Sequence, residues 1–502
     1  MQIKNENQFN IRLLKRSIDA RSRTIKVNIQ ADVYVDEIPE PLNQLNKEYK
    51  DVSNAKQVII VGAGPAGLFA ALRLIELGIK PVIIERGKDV QERRRDIANI
   101  NKKNIVNENS NYCFGEGGAG TYSDGKLYTR SKKRGDIKRI LEILVAHGAA
   151  DNILFEAHPH IGTNKLPKLI QEIRNTILKY GGEIHFNTKV VDFILEENEI
   201  KGVVANAVVG ALHQQHEYNG IGVILATGHS ARDVFELLQQ RNILIESKPF
   251  ALGVRVEHQQ SLIDNIQYHG NKCDILPAAS YSLVEQVKVG TQQKGVFSFC
   301  MCPGGFIVPS ATNQNEIVVN GMSPSKRDSP FSNSGIVVAV NENDWKNFMQ
   351  FGALAAMEFQ KSVEQKAWQI AGKTQIAPSQ LMKDFVNNKT SAALLETSYQ
   401  PGLVSVEMRD FLPNEIAFCL QEGFKNFGNK MRGYLTNDAQ IVGVESRTSS
   451  PVKIPRDKET LEHIAIKRFF PCAEGAGYAG GIMSAAMDGE RCAERLVQLY
   501  AF

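Results

Sequence analysis

The run Gly62-Ala63-Gly64-Pro65-Ala66-Gly67 is the first place in the chain where residue types and spacing prescribe a chemistry. In a GxGxxG turn, Gly62 permits a tight bend and Gly64 lets the backbone approach a pyrophosphate. Gly67 lets the following helix pack closely on the preceding strand, so that free N–H groups at the helix start point at the anion. Glu85 stands at the end of the next apolar run, where its carboxylate can accept hydrogen bonds from ribose hydroxyls. An acid at that place disfavours the 2′-phosphate of NADP. The glycines alone are weak evidence. Strand, turn, helix and terminal acid together define a dinucleotide site.

Two further glycine-rich segments decide which dinucleotide. The first is Phe114-Gly115-Glu116-Gly117-Gly118-Ala119-Gly120-Thr121, continuing to Lys126. So many glycines let main chain lie against a flat or bulky ligand. Far downstream, Cys472-Ala473-Glu474-Gly475 and Gly480-Gly481 lead into a helix over 482–496. Its N-terminus would face negative charge developing on a flavin. NAD needs no such distant closing segment, whereas an elongated FAD does.

Candidates for catalysis are sparser, because a flavin itself carries the electrons. Cys300-Met301-Cys302 invites a redox reading, but the CxC spacing would strain a disulfide, and small buried residues beside a Pro-Gly-Gly turn are the alternative. His160 and His229 could donate protons or hydrogen-bond a substrate, or be satisfied structural histidines. Arg447, ahead of Thr448-Ser449-Ser450-Pro451, could hold a substrate anion or a flavin carbonyl, or be tied into a loop by ion pairs. Lys126 either stabilises reduced flavin or is exposed. No cluster has metal-ligand spacing, so no metal is expected. No Ser–His–Asp arrangement can be inferred.

The elements that must position these residues follow a βαβ pattern. Residues 58–61 form a continuous apolar run, as expected of a parallel strand buried on both faces. Leu68, Ala71, Leu72 and Ile75 then repeat at helical spacing, Gly78 ends the helix, and 81–84 is the second strand. A helix is predicted over 163–180, short strands over 183–186 and 190–194, and a buried strand over 221–226. Alternating runs between 247 and 430 predict an antiparallel sheet, with a helix over 344–370. Residues 1–50 read as a small α/β appendage, ending in a linker around Pro39 and Pro41.

The chain has 502 residues, 43% of them hydrophobic and 23% charged, enough for several cores. The net charge of +4 is small for this length. Basic clusters such as Lys132-Lys133-Arg134 with Lys138-Arg139 are therefore read as a solvated helix face, and nucleic acid is not an expected partner. No run approaches the roughly 18 apolar residues of a membrane span. Seven cysteines without framework spacing, and no secretory signal, point to the cytoplasm.

The strand–Gly62 turn–Glu85 unit, the Ala226-Thr227-Gly228 turn and Glu474-Gly475 resemble the FAD domain of glutathione-reductase-type two-dinucleotide-binding flavoproteins. The segments at 114–127, 159–163, 228–233, 248–258, 298–305, 320–323 and 445–451 resemble, more narrowly, a bacterial family of uncharacterised FAD-dependent dehydrogenases. The resemblance implies FAD contacts at Gly62, Gly64, Pro65, Ala66, Gly67, Glu85, Arg86 and Arg93. It also implicates Gly117, Gly118, Ala119, Gly120, Thr121 and Gly228, with the Val190 backbone at the adenine. Glu474, Gly475, Gly480, Gly481 and Ile482 would lie at the ribityl–pyrophosphate and isoalloxazine. The stretch between Arg93 and Asn111 departs from that family, being rich in Asn and Lys.

The expected architecture is an α/β Rossmann-type FAD/NAD(P)-binding domain of 55–246 and 431–502, with a mixed α/β cap at 247–430. The expected activity is an FAD-dependent oxidoreductase (dehydrogenase or reductase) exchanging hydride with a small organic substrate. With only one fingerprint, NAD(P)H would bind transiently. A flavin monooxygenase, or a flavoprotein using FAD for structure or redox sensing, are the alternatives.

Overall fold

The computed structural model describes residues 8–40, 48–129, 135–209 and 212–501; the Lys132-Lys133-Arg134 cluster lies outside them. Gln57–Val61 is the middle of a five-stranded, all-parallel sheet. The order is Phe469–Pro471, Val223–Leu225, Gln57–Val61, Lys80–Ile84 and Glu183–His185. Its apolar runs are buried because the helices Pro65–Leu77, Leu166–Lys179 and Ile482–Tyr500 cover one face, while the antiparallel strands Thr188–Glu196 and Glu199–Val209 pack on the other. Pro65–Leu77 begins with proline in its first turn and stops at Gly78, which takes a left-handed φ of 81°. It packs against the C-terminal helix Ile482–Tyr500, so residues over 400 positions apart share one core. This is the Rossmann-type arrangement. The carboxyl ends of three of its strands lead into Gly62, Glu85 and Ala226, where open α/β sheets bind their ligands.

A seven-stranded sheet forms the second layer, in the order Val284–Val289, Gln292–Cys302, Phe331–Val340, Phe250–Gln259, Ala439–Glu445, Ala377–Leu381 and Leu403–Ser405. All its pairs are antiparallel except the last. Ala439–Glu445 joins it by pairing with Phe250–Gln259, which ties a C-terminal segment into the cap core. The helix predicted over 344–370 begins only at Ala355. Before it, Lys346–Leu354 winds as short 3₁₀ turns broken by Gly352, whose φ of 59° and ψ of −127° no helix accommodates.

The N-terminal piece differs from the α/β appendage predicted for it. Its described residues contain no helix; Phe9–Asp19 and Lys26–Val35 form an antiparallel ribbon with a bulge between Leu13 and Lys15. The β-branched residues Ile11, Val27, Ile29 and Val33 favour strand, and each strand supplies the other's hydrogen bonds. The ribbon joins the body edge-on, through Arg16 N to Phe155 O at 2.8 Å and Ala157 N to Arg16 O at 2.9 Å.

Candidate functional site

One cavity runs between the carboxyl end of the parallel sheet and the face of the seven-stranded sheet, enclosing about 1590 Å3 including its mouth. Gly62, Gly64, Pro65 and Ala66 line one stretch of it. A Cβ on Gly62 would stand 2.5 Å from the Ala226 carbonyl, and one on Gly67 would stand 2.0 Å from the Gly62 carbonyl. Gly64 has no protein atom closer than 4.0 Å to its missing Cβ, so its open side faces the cavity. Gly64 is also the N-cap of Pro65–Leu77 and offers no side-chain cap; the first turn holds no acid. Free N–H groups beside an open glycine fit an anion.

Glu85 lines the cavity and is buried. Its Oε2 accepts from Ala63 N at 2.8 Å, and its Oε1 accepts from Gly87 N at 2.8 Å and Gly115 N at 3.0 Å. Three loops are thereby tied to one carboxylate, which retains acceptor capacity for a ribose. Arg86 stacks over Phe114 at 4.2 Å and pairs with Asp233 at 2.9 Å, beside Val190 on the same wall.

The glycine loop brings Gly118, Ala119 and Gly120 to the cavity. Gly117, Thr121 and Arg93 stand behind it. Fully buried Arg93 donates to the carbonyls of Asn111 at 2.7 Å, Glu116 at 2.8 Å and Gly118 at 2.9 Å. It shapes the loop from its back. At the far end Gly228, Glu474, Gly481 and Ile482 line the wall, and Gly481 starts Ile482–Tyr500 without a side-chain cap. Gly475 lies behind them, packed on Gly228, and Gly480 packs on the Glu474 carboxylate.

The catalytic candidates separate. His160 lies off the cavity with Nε2 at 3.1 Å from the Ser325 carbonyl; burial, then the Arg327 charge, lower its pKa. His229 is on the wall, its Nδ1 3.3 Å from Glu474 Oε1. Lys126 donates to the Met301 carbonyl. Arg447 reaches the wall, but its guanidinium is engaged by Glu316 at 2.5 Å, Thr312 at 2.7 Å and Glu364 at 3.2 Å. Arg232 closes the group, 3.0 Å from Glu316 and 2.8 Å from Glu364. Burial alone would raise Glu316, yet Arg447 and Arg232 hold it well below the usual carboxylate range. Arg232 lies in the 228–233 segment that carries the family resemblance, but Glu316 and Glu364 carried no signal in the sequence, since nothing local marks a pair separated by 131 residues.

Cys300 and Cys302 are unbridged. Cys300, with φ of 44°, opens into the interior cavity, and Cys302 donates to its carbonyl at 3.3 Å. Burial deep in the protein raises both thiols, Cys300 to about 11. Both are protonated at neutral pH. Iodoacetamide should accordingly label Cys300 slowly at pH 7 and markedly faster above about pH 10; rapid labelling at pH 7 would show an activated thiolate. One buried group, Cys472, Asp488 and Cys492, has metal-like proximity, but Arg456 and the Ala473 N–H engage both Asp488 oxygens. No helix among the described residues is long and apolar enough to cross a membrane.

Comparison with known proteins agrees with this geometry. Residues 55–101 match an FAD binding domain, 249–448 match an FAD-dependent protein, C-terminal domain-like family, and 1–34 match a domain of unknown function. An uncharacterized protein of Clostridium beijerinckii is 38% identical over 507 residues, covering 97% of this chain and 92% of that one. A thiamine thiazole synthase of Aeropyrum pernix is 30% identical over 215 residues, 41% of this chain and 66% of that protein. The structure of a geranylgeranyl bacteriochlorophyll reductase-like protein from Thermoplasma acidophilum is 13% identical, with 88% of this chain and 77% of that one covered and a TM-score of 0.35. Fold and site thus define a flavin-dependent enzyme class. The chain belongs to the FAD-dependent protein family represented by its Clostridium relative, and its cofactor is FAD.

Proposed function

We propose that this protein is an FAD-dependent oxidoreductase of the dehydrogenase or reductase type, acting on a small organic substrate held against the seven-stranded sheet. The observation that carries this reading is the single cavity shared by two uncapped helix starts, at Gly64 and Gly481, and the cap-sheet wall. When bound, FAD supplies a two-electron carrier. In this reading Gly62, Gly64, Pro65 and Ala66 hold the pyrophosphate, and Glu85, Arg86 and Val190 hold the adenosine end. Gly118, Ala119, Gly120, Gly228, Glu474, Gly481 and Ile482 border the ribityl chain and ring. Gly67, Arg93, Gly117, Thr121, Gly475 and Gly480 support that cradle from behind. The parallel-sheet half and the cap half would be separate domains, with the substrate between them. Seven unbridged cysteines support a reducing, cytoplasmic setting.

Anaerobic mixing with NADH or NADPH tests the activity. Rapid bleaching of the visible flavin band is the expected result. Substrate-dependent oxygen uptake would favour a monooxygenase, and inertness to every donor would sink both enzyme readings.

A further inference from the structure

One carboxylate on the cap side of the cavity has no role in the cofactor cradle. Glu445 ends the Ala439–Glu445 strand, lines the cavity and is 2% exposed. Its Oε2 accepts from Arg255 Nε at 2.8 Å, and its other oxygen has no protein partner among the described residues. Fully buried Arg255 is shared: it also donates to Asn333 Oδ1 at 2.9 Å and to the Cys300 carbonyl at 3.3 Å. Burial therefore raises the Glu445 carboxyl and Arg255 only partly offsets it, leaving it at about 7.

The groups around Glu445 hold no other free charge. Across the cavity wall Cys300 is a neutral thiol, and the Lys126 ammonium beyond it is paired with Asp124 at 3.8 Å and donates to the Met301 carbonyl. Two residues along, Arg447 is closed into its quartet with Glu316, Glu364 and Arg232. Phe299, Val319 and Asn320 complete this end of the wall with neutral side chains.

We propose that Glu445 is the proton-exchanging residue of the site, and that the substrate is an uncharged molecule carrying a hydroxyl or amine hydrogen on the carbon that yields hydride. This rests on the oxidoreductase reading above. In the oxidative direction the O–H or N–H bond breaks and its proton passes to the Glu445 carboxylate. The adjacent C–H bond breaks and its hydrogen leaves with both electrons to the bound flavin. A C=O or C=N bond forms, so the substrate loses two hydrogens and two electrons, and the flavin gains both electrons. In the reductive direction protonated Glu445 returns the proton. An acid–base group serves best when its affinity for protons lies near the working pH. An anionic substrate finds no free arginine here, since Arg447, Arg232 and Arg255 are all engaged.

The test needs no substrate. FAD-loaded protein is photoreduced anaerobically in weak buffer with a pH-indicator dye, and the protons taken up per flavin are counted. Negative charge arriving in the cavity raises Glu445 further. Just above neutral pH the wild type should therefore take up more protons per flavin than Glu445→Gln, by up to about one. Near pH 5, where the carboxyl is protonated in both redox states, the two should coincide. Glu445→Asp keeps a carboxylate for Arg255 and covers the case that the Gln variant does not fold. It should move the pH at which the extra uptake appears. Uptake identical to wild type at every pH in the folded variant would overturn the role of Glu445 while leaving the oxidoreductase reading intact. Failure to hold FAD, or flavin that no donor reduces, would overturn that reading first.

Discussion

Gly64→Asp should yield a folded protein that no longer binds FAD. Gly64 has φ of −74° and ψ of −177°, extended backbone that any residue adopts, and open space where the new side chain would go. It is also the helix N-cap, a position that aspartate favours because its oxygen accepts the N–H groups of the first turn. Those are the donors an anionic pyrophosphate needs. The carboxylate would satisfy them internally and place negative charge beside the phosphates. Charge-assisted hydrogen bonds contribute about 1.5–3 kcal/mol each, so losing two weakens binding by roughly 100-fold or more. The apo variant should melt at or slightly above the wild-type temperature. Flavin absorbance after purification and titration with FAD read the outcome, and a stoichiometrically yellow variant would refute the assignment. Gly67→Ala should behave in the opposite manner, losing stability, because its Cβ would meet the Gly62 carbonyl at 2.0 Å.

Arg447→Ala should destabilise the protein severely. Removing one guanidinium leaves Glu316 and Glu364 facing Arg232 alone, so a buried negative charge goes uncompensated. Breaking a buried ion pair from one side costs about 3–5 kcal/mol. The pH dependence has a definite sign. In the wild type Glu316 is depressed, so its contribution is present above the ordinary carboxylate range and fades as pH falls through it. In the variant Glu316 is free to protonate. The penalty relative to wild type should therefore be largest near neutral pH and smaller near pH 5. Denaturant melts of both proteins at the two pH values measure it. A variant of wild-type stability that has lost only activity would instead make Arg447 a ligand for substrate or flavin.

Much of the site was legible in the chain because it works through local backbone geometry. Gly62 and Gly67 are glycines for reasons set within a single strand–turn–helix unit, and Glu85 terminates the neighbouring strand. Arg93 shows where such reading stops. It resembled a cofactor contact, yet the fold buries it against the carbonyls of Asn111, Glu116 and Gly118. The first 35 residues show a second limit. Ile11 and its neighbours suit either helix or strand until pairing with 26–35 decides.

Arg447 and Glu445 stand two residues apart in one motif and face opposite fates. Arg447 is neutralised by acids from remote segments, whereas Glu445 must share a single arginine with two neutral acceptors. The sequence by itself determined the FAD cofactor and the strand–turn–helix unit at Gly62, because glycines and a strand-terminal acid exert their effect within a few residues. Only the tertiary structure decided which charged groups remain available to chemistry, because a buried charge takes its character from partners the chain supplies from far away.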